Sequence, residues 1–341
     1  MEQSGKRLLS IQQAQAKALH AGVKAVDDMQ SIVEGMGYEG FSVLRRYDGR
    51  WSKLLNAIVS WKDLRRLRKE LASSGGCLLQ WPFYLYDQNV IRTLGRIVAE
   101  DGRYTVLLHD VNHLRYGEGY EDRGGEMSLL KGARRVIAHT EPMADYLVGL
   151  GVERGKIRVL GPFDYLTDGK KPEGRRNGNE VVFAGNLGKS VFLRELTAEL
   201  MEGYKLNLYG IGAGNLPAGL EYKGTFQPER VAGIEGSWGL VWDGTSAATC
   251  DGMFGRYLSL NCPHKFSLYI SAHLPVIIWR GAALAKYVEA KGLGLVVDSL
   301  GQIGEEIGRV TDADYERMLE SVRAEARELN SGAHLKKALE A

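Results

Sequence analysis

Asn261-Cys262-Pro263-His264-Lys265-Phe266-Ser267-Leu268-Tyr269-Ile270-Ser271-Ala272-His273-Leu274-Pro275-Val276-Ile277-Ile278 reads as a short helix that opens at a proline and feeds a buried parallel strand. Pro263 suits the first helical position, where a missing N–H costs nothing, and Leu274-Pro275 marks the stop before the apolar run Val276-Ile277-Ile278. Lys265 then falls in the first turn, beside a helix end that already carries about half a positive charge. Either the lysine points into solvent, or an anion sits on the free N–H groups there. Phosphate is the usual anion at such a place.

The same alternation of apolar strand and helix extends outward from this element in both directions. Residues 181–184, 205–209, 238–242 and 294–297 read as strands, with helices at 191–201 and 283–290. Before them, strands at 8–11, 41–44, 77–82, 104–110, 135–139 and 156–160 alternate with helices at 14–36, 51–71, 89–100 and 142–150. Apolar strands of this kind belong in parallel sheets covered on both faces. Residues 161–180 break the pattern with Gly, Pro, Lys, Arg and Asp. The expected fold is therefore α/β: two Rossmann-like, doubly wound domains with a ligand cleft between them at the carboxyl ends of both sheets. The expected boundaries are 1–162 for the first domain, 163–179 for a linker and 180–330 for the second domain. The amphipathic helix at 331–341 is expected to pack back on the first domain.

Composition narrows the function. The chain has 341 residues, 44% hydrophobic and 25% charged, with a formal net charge of +2, which gives no reason to expect nucleic acid as a partner. The basic run from Lys62 to Lys69 has helical spacing and reads as a solvated face, or as one lying near a membrane. Cys77, Cys250 and Cys262 show no metal-ligand spacing and suggest a reducing compartment. The N-terminus lacks the apolar core of a signal peptide, and no run approaches the roughly 18 apolar residues that span a bilayer, so a cytoplasmic location is expected.

Gly185-Asn186-Leu187-Gly188-Lys189-Ser190 follows a strand and precedes an expected helix. It is not a P-loop, because Phe183 stands where that motif needs its first glycine. Gly185 still permits close backbone approach, and Lys189 is a second cation placed at an expected helix start. Lys189 and Lys265 are read as facing one diphosphate. No Asp-x-Asp triplet, His-x-x-x-His pair or cysteine cluster is present, so metal-independent chemistry is expected, with lysines and helix ends neutralising the leaving group. In the first half, His109-Asp110-Val111-Asn112-His113 closes a buried strand, where polar side chains tend to mark a site. Asp110 or His109 could act as general base. Alternatively Asp110 caps the loop and His109 donates to a neighbouring carbonyl. Gln80, Trp81 and Tyr84 could line an acceptor groove, or Trp81 is core; His20, Ala21 and Gly22 are weaker candidates.

Phe183 to Ser190, Gly239-Leu240-Val241-Trp242-Asp243-Gly244 and Asn261 to Tyr269 together resemble bacterial sugar transferases of the two-Rossmann (GT-B) kind. The resemblance is to the transferases that add glucose to the N-acetylglucosamine of serine-rich-repeat adhesins, and to the related β-1,6-galactofuranosyltransferases. Leu108-His109-Asp110-Val111 and Pro162-Phe163-Asp164-Tyr165-Leu166 add weaker echoes. The resemblance implies a UDP-sugar held in the second domain, with Lys265 and Lys189 on its diphosphate and Phe226 stacked on uracil. Gly185, Asn186, Asp243 and His264 join this expected donor-binding set. It further implies an α-linked donor giving a β-linked product, a glycan or glycosylated protein as acceptor, and a homo-oligomer. Glucose and galactofuranose are not separable by sequence; Asp243, Thr245, Asp251 or Tyr257 could contact the sugar hydroxyls.

Two other functions compete. A dinucleotide-dependent oxidoreductase would need a Gly-x-Gly-x-x-Gly turn after the first strand, and residues 10–21 contain no glycine. A non-catalytic nucleotide-sugar-binding or scaffold protein would share Lys265 and Lys189 but would not turn over.

Overall fold

Runs such as Cys77-Leu78-Leu79 and Val181-Val182-Phe183-Ala184 offer no polar face to water, so a sheet made of them needs cover on both sides. The computed structural model describes residues 7–13, 21–43, 52–83, 88–116, 122, 125–170, 172, 178–214, 216–217 and 220–340. The chain folds into two units, Met1–Leu160 with Leu335–Ala341, and Gly161–His334. Of the expected features, residues 14–20, Trp51, His20 and Tyr84 lie outside the described residues.

The first unit holds β1 (Leu8–Gln13), β2 (Tyr38–Val43), β3 (Gly76–Trp81), β4 (Tyr104–Leu108), β5 (Arg135–Ala138) and β6 (Ile157–Val159). All are parallel, in the order β2-β1-β3-β4-β5-β6. The helices Ala21–Gly35, Ser52–Ser73, Gln88–Asp101 and Glu141–Gly149 connect them. The helix Ala333–Glu340 enters this unit from Leu335 onward, where the Arg135 guanidinium donates to Leu339 O.

The second unit holds β7 (Glu180–Asn186), β8 (Lys205–Ile211), β9 (Glu221–Gly224), β10 (Trp238–Val241), β11 (Val276–Trp279) and β12 (Gly294–Val297). They too are parallel, in the order β12-β11-β10-β7-β8-β9. The chain builds β7, β8 and β9 in one direction, then crosses to the other side of β7 for β10 and continues outward. That reversal is a topological switch point, where open α/β sheets take their ligands.

The ladder at the switch is short. β10 pairs with β7 only at Trp238–Val181 and Gly239–Val182, whereas β7 stays with β8 as far as Asn186–Ile211. Past Val182 the N–H groups of β7 on that side need another acceptor. Ala184 N finds one in the Tyr269 hydroxyl, at 2.8 Å. Tyr269 belongs to the helix His264–Ser271, is wholly buried, and lies so close to β10 that a Cβ on Gly239 would sit 2.2 Å from its Cγ. The helix ends in a Schellman turn, with Leu274 N on Tyr269 O (2.9 Å), His273 N on Ile270 O (3.0 Å) and His273 at φ 56°. Pro263 is the N-cap residue, one place earlier than the sequence suggests, and Lys265 is the second helical residue.

Two expectations are corrected. The helix at 191–201 is only a 3₁₀ segment, Val191–Glu195, because the Thr197 hydroxyl accepts from Leu200 N (3.2 Å) and starts a separate turn. The linker at 163–179 is in its first part not a linker: Phe163, Asp164 and Tyr165 are buried in the second unit. Tyr165 N donates to Leu329 O (3.1 Å), its hydroxyl donates to Pro228 O (2.6 Å), and Asp164 Oδ1 accepts from His334 N (3.1 Å). Among the described residues, no helix is long and apolar enough to cross a membrane.

Replacing Tyr269 by Phe keeps the ring and orphans the buried Ala184 N–H, which costs about 1–3 kcal/mol. Urea unfolding of the Tyr269→Phe protein should show that loss through a lower midpoint at an unchanged slope.

Candidate functional site

Lys265 stands at the switch point of the second unit. Its ammonium donates to Trp242 O (2.7 Å), lies 3.4 Å from Asp243 Oδ2 and sits 4.7 Å from the centroid of the Phe183 ring. Trp242 and Asp243 follow β10 and Phe183 is in β7, so the cation is braced by both strands that flank the crevice. The carbonyl, the carboxylate and the ring offset its proximity to the positive helix end. An ammonium carries three N–H donors, and these contacts leave capacity for one more acceptor.

The ends of β7 and β8 interlock through their backbones. A Cβ on Gly210 would lie 1.8 Å from Gly185 O, and one on Gly212 would lie 2.9 Å from Gly188 N. Only glycine allows this approach, and Asn186 and Lys189 are exposed on the resulting turn. Lys189 therefore starts no α-helix, and the argument that placed it against a helix dipole does not hold. Phe226 follows β9 and packs edge-on against Tyr209, with centroids 5.6 Å apart. His264 is turned into the Phe163 and Tyr165 rings at 5.1 and 5.9 Å, with both ring nitrogens buried. Its side chain packs against these two rings at the start of the helix.

The loop after β10 is held from within. Asp251 Oδ1 accepts from Thr245 N (2.7 Å), Thr245 Oγ1 (2.8 Å) and Ser246 N (3.1 Å), and these bonds keep its carboxyl below the usual range. Glu195 Oε2 accepts from Ala247 N (2.8 Å) and Ser246 Oγ (3.2 Å). Asp251 and Thr245 thus shape the loop and Tyr257 is buried, while Asp243 and Asp251 are half-buried and Thr245 is exposed. The helix Gly252–Leu258 was missed in the sequence. Its signal was Asp251 at the cap position followed by apolar residues at 253, 254, 257 and 258.

In the first unit, a chain of buried polar groups runs to the end of β4. Gln30 Nε2 donates to Glu34 (2.7 Å), so its Oε1 accepts from Ser10 Oγ (2.7 Å) and Gln80 Nε2 (3.0 Å). Gln80 Oε1 then accepts from His109 Nε2, at 2.8 Å. A neutral His109 is thereby fixed with its proton on Nε2 and its lone pair on Nδ1. Gln80 positions His109 and does not line a groove; Trp81 is core, 1% exposed, its Nε1 donating to Glu126 Oε2 at 2.8 Å. Glu126 also accepts from Asn112 N and His113 N, both at 3.3 Å. Burial pushes its carboxyl up, against these three bonds. His113 Nδ1 meets the Tyr146 hydroxyl at 2.6 Å. Asn112 and His113 of the His109-Asp110-Val111-Asn112-His113 motif are therefore fastened structurally, His109 is held by Gln80, and His109 and Asp110, both half-buried, lie at the strand end. Gln30, Glu126 and Glu195 carried no sequence signal.

Among the described residues, no group of three or more His, Cys, Asp or Glu side chains is placed to hold a metal ion. The model of the N-terminal domain of glucosyltransferase 3-like proteins matches residues 10–161, and that of their C-terminal domain matches residues 181–341. The chain belongs to the glucosyltransferase 3-like family. It is a glycosyltransferase of the GT-B kind, with the switch point of the second unit lying in the family's C-terminal domain. It is 29% identical over 326 residues to the β-1,6-galactofuranosyltransferase WbbI of Escherichia coli K12, covering 94% of this chain and 93% of the relative. With glucosyltransferase 3 of Streptococcus parasanguinis the identity is 24% over 237 residues, 68% of each chain. In fold it is similar to a sucrose-phosphate synthase of Thermosynechococcus elongatus (TM-score 0.65, 13% identity, 98% of each chain). It is also similar to Anabaena Alr3699/HepE, solved with UDP-glucose (TM-score 0.60, 12% identity, 98% of each chain).

His139 gives this family member a pH test. The ring is buried, donates Nε2–H to Leu108 O (2.9 Å), and is pushed down to about 4 by burial, against the pull of Asp110. Between about pH 6.5 and pH 4 the unfolded chain takes up this proton and the folded chain does not, so stability falls with pH by up to about 3 kcal/mol. Glu126 acts with the opposite sign, so wild type must be compared with His139→Gln. Denaturant unfolding across pH 4–7 should give a shallower loss for the variant.

Proposed function

We propose that the chain moves a hexose from a UDP-sugar to a hydroxyl of a glycan or glycosylated protein, with inversion and without a metal ion. The observation that carries this reading is Lys265, braced by β10 and Phe183 at the switch point with donor capacity to spare. A diphosphate there meets the ammonium and the first N–H groups of the helix His264–Ser271. The relatives' names, a galactofuranosyltransferase and a glucosyltransferase, support a hexose, and the UDP-glucose complex of a structural neighbour supports the donor class.

The acceptor oxygen attacks the anomeric carbon from the face opposite the diphosphate. The bond to the phosphate oxygen breaks and UDP leaves with the electron pair, its charge met by Lys265 and the exposed Lys189. Phe226 offers a ring for the uracil, the glycine-locked turn at Gly185 and Asn186 lets the nucleotide approach the backbone, and Asp243 accepts from a sugar hydroxyl. Asp110 takes the acceptor proton. What favours it over His109 is that His109 Nε2 is committed to Gln80 and its Nδ1 is buried, which makes His109 a positioning residue.

Calorimetric titration with UDP in the presence of chelator tests the donor site. The wild type should bind, and Lys265→Ala should bind about 10- to 100-fold more weakly with its fold intact, as expected for losing a hydrogen bond from a charged group. Equal affinity of the two proteins would overturn the assignment. Asp110→Asn should keep UDP affinity and lose about 10²- to 10⁴-fold in turnover, measured as UDP release with acceptor present.

A further inference from the structure

The helix Ser52–Ser73 is anchored unevenly. Its C-terminal turns bury Leu67 and Leu71, whereas none of residues 54–61 is buried. Leu54, Leu55, Ile58 and Trp61 are instead exposed by 60%, 45%, 42% and 54%. Spacing along the helix puts Leu54, Ile58, Trp61 and Arg65 on one face. The face continues into exposed Lys62, Arg65 and Lys69, with the Arg65 guanidinium 3.9 Å above the Trp61 ring. The helix's two acids lie elsewhere: Asp63 and Glu70 are half-buried and paired with Arg66 and Arg7. Over about 22 Å, at about 1.5 Å per residue, the outer face is thus apolar and then cationic, and its described side chains include no carboxylate.

We propose that this face seats the chain on an anionic lipid surface. Leu54, Leu55, Ile58 and Trp61 enter the boundary between headgroups and acyl chains, and Lys62, Arg65 and Lys69 meet lipid phosphates. Charge complementarity selects this occupant. A second copy of the same face would offer the basic half no opposite charge, whereas a bilayer surface presents an apolar layer edged by anions along its whole length. The inference is independent of the donor-site reading, since it concerns neither Lys265 nor Asp110.

The test is co-sedimentation of the full chain with vesicles of phosphatidylcholine alone and of phosphatidylcholine mixed with phosphatidylglycerol. The wild type should partition onto the mixed vesicles and be released by salt. Losing a basic residue at such a surface weakens partitioning about fivefold, so R65E/K69E should lose at least about tenfold. Leu54→Ser with Ile58→Ser and Trp61→Ser should also release the protein, and because these side chains are exposed its thermal midpoint should hold. No preference for the anionic vesicles, or undiminished binding by either variant, would overturn the proposal. So would a lipid-free dimer in sedimentation equilibrium that the apolar variant dissolves, for that would make a second copy the occupant.

Discussion

One hydrogen bond and one missing Cβ hold the second unit in a shape that can take a ligand. The ladder between β7 and β10 stops at Gly239–Val182, and Ala184 N would be a buried orphan without the Tyr269 hydroxyl. The same ring occupies the space that any side chain on Gly239 would fill. Tyr269 is four residues from Lys265, one turn along the same helix face, so what fixes the tyrosine fixes the height of the lysine above the strands. Early termination of the ladder opens the crevice, and the tyrosine that repairs the lost bond aims the cation into it. A tighter ladder would satisfy the backbone equally well and leave no room for either side chain.

The neighbouring edge of the crevice obeys a different constraint. Gly185 against Gly210, and Gly188 against Gly212, bring two strand-end turns to backbone contact. Such turns cannot adjust through side-chain rotation, so Asn186 and Lys189 project from a framework set by close backbone approach. On the opposite side, Glu195 and Asp251 hold the loop after β10 by accepting its N–H groups. The two rims are stiffened by different means.

The sequence was most legible where periodicity and placement coincide. Strands such as Val181-Val182-Phe183-Ala184 and Val276-Ile277-Ile278 are apolar on both faces and can only be central, and the odd location of Lys265 follows from Pro263 and the helix polarity alone. Legibility ended where the partner is distant in the chain. Gly239 and Tyr269 each look ordinary, and so do Gln30 and Gln80, which meet across 50 positions. Trp81 reads equally as a groove residue or as core, and it is core, where Glu126 supplies the polar partner its indole needs. Periodicity is lost after Tyr165, and the linker boundary expected at 163 fell too early because Asp164 and Tyr165 are fixed by single contacts that no period encodes. The helix expected at 191–201 failed for a local reason, the competing bond of Thr197, which propensity alone ranks too weakly to stop a helix.

The two switch points differ in chemistry as much as they agree in topology. In the second unit a cation stands between the diverging strands; in the first, the reversal lies between β1 and β3, and the residues gathered there are neutral amides and a hydroxyl, Ser10, Gln30 and Gln80. A crevice lined by a lysine and helix N–H groups suits an anion. One whose buried groups form a closed chain of donors and acceptors, ending on His109, holds a ring in a single tautomer at little electrostatic cost. The chain Ser10–Gln30–Gln80–His109 is built from a hydroxyl, two amides and a ring, and it fixes His109 through hydrogen bonds that bring no charge of their own.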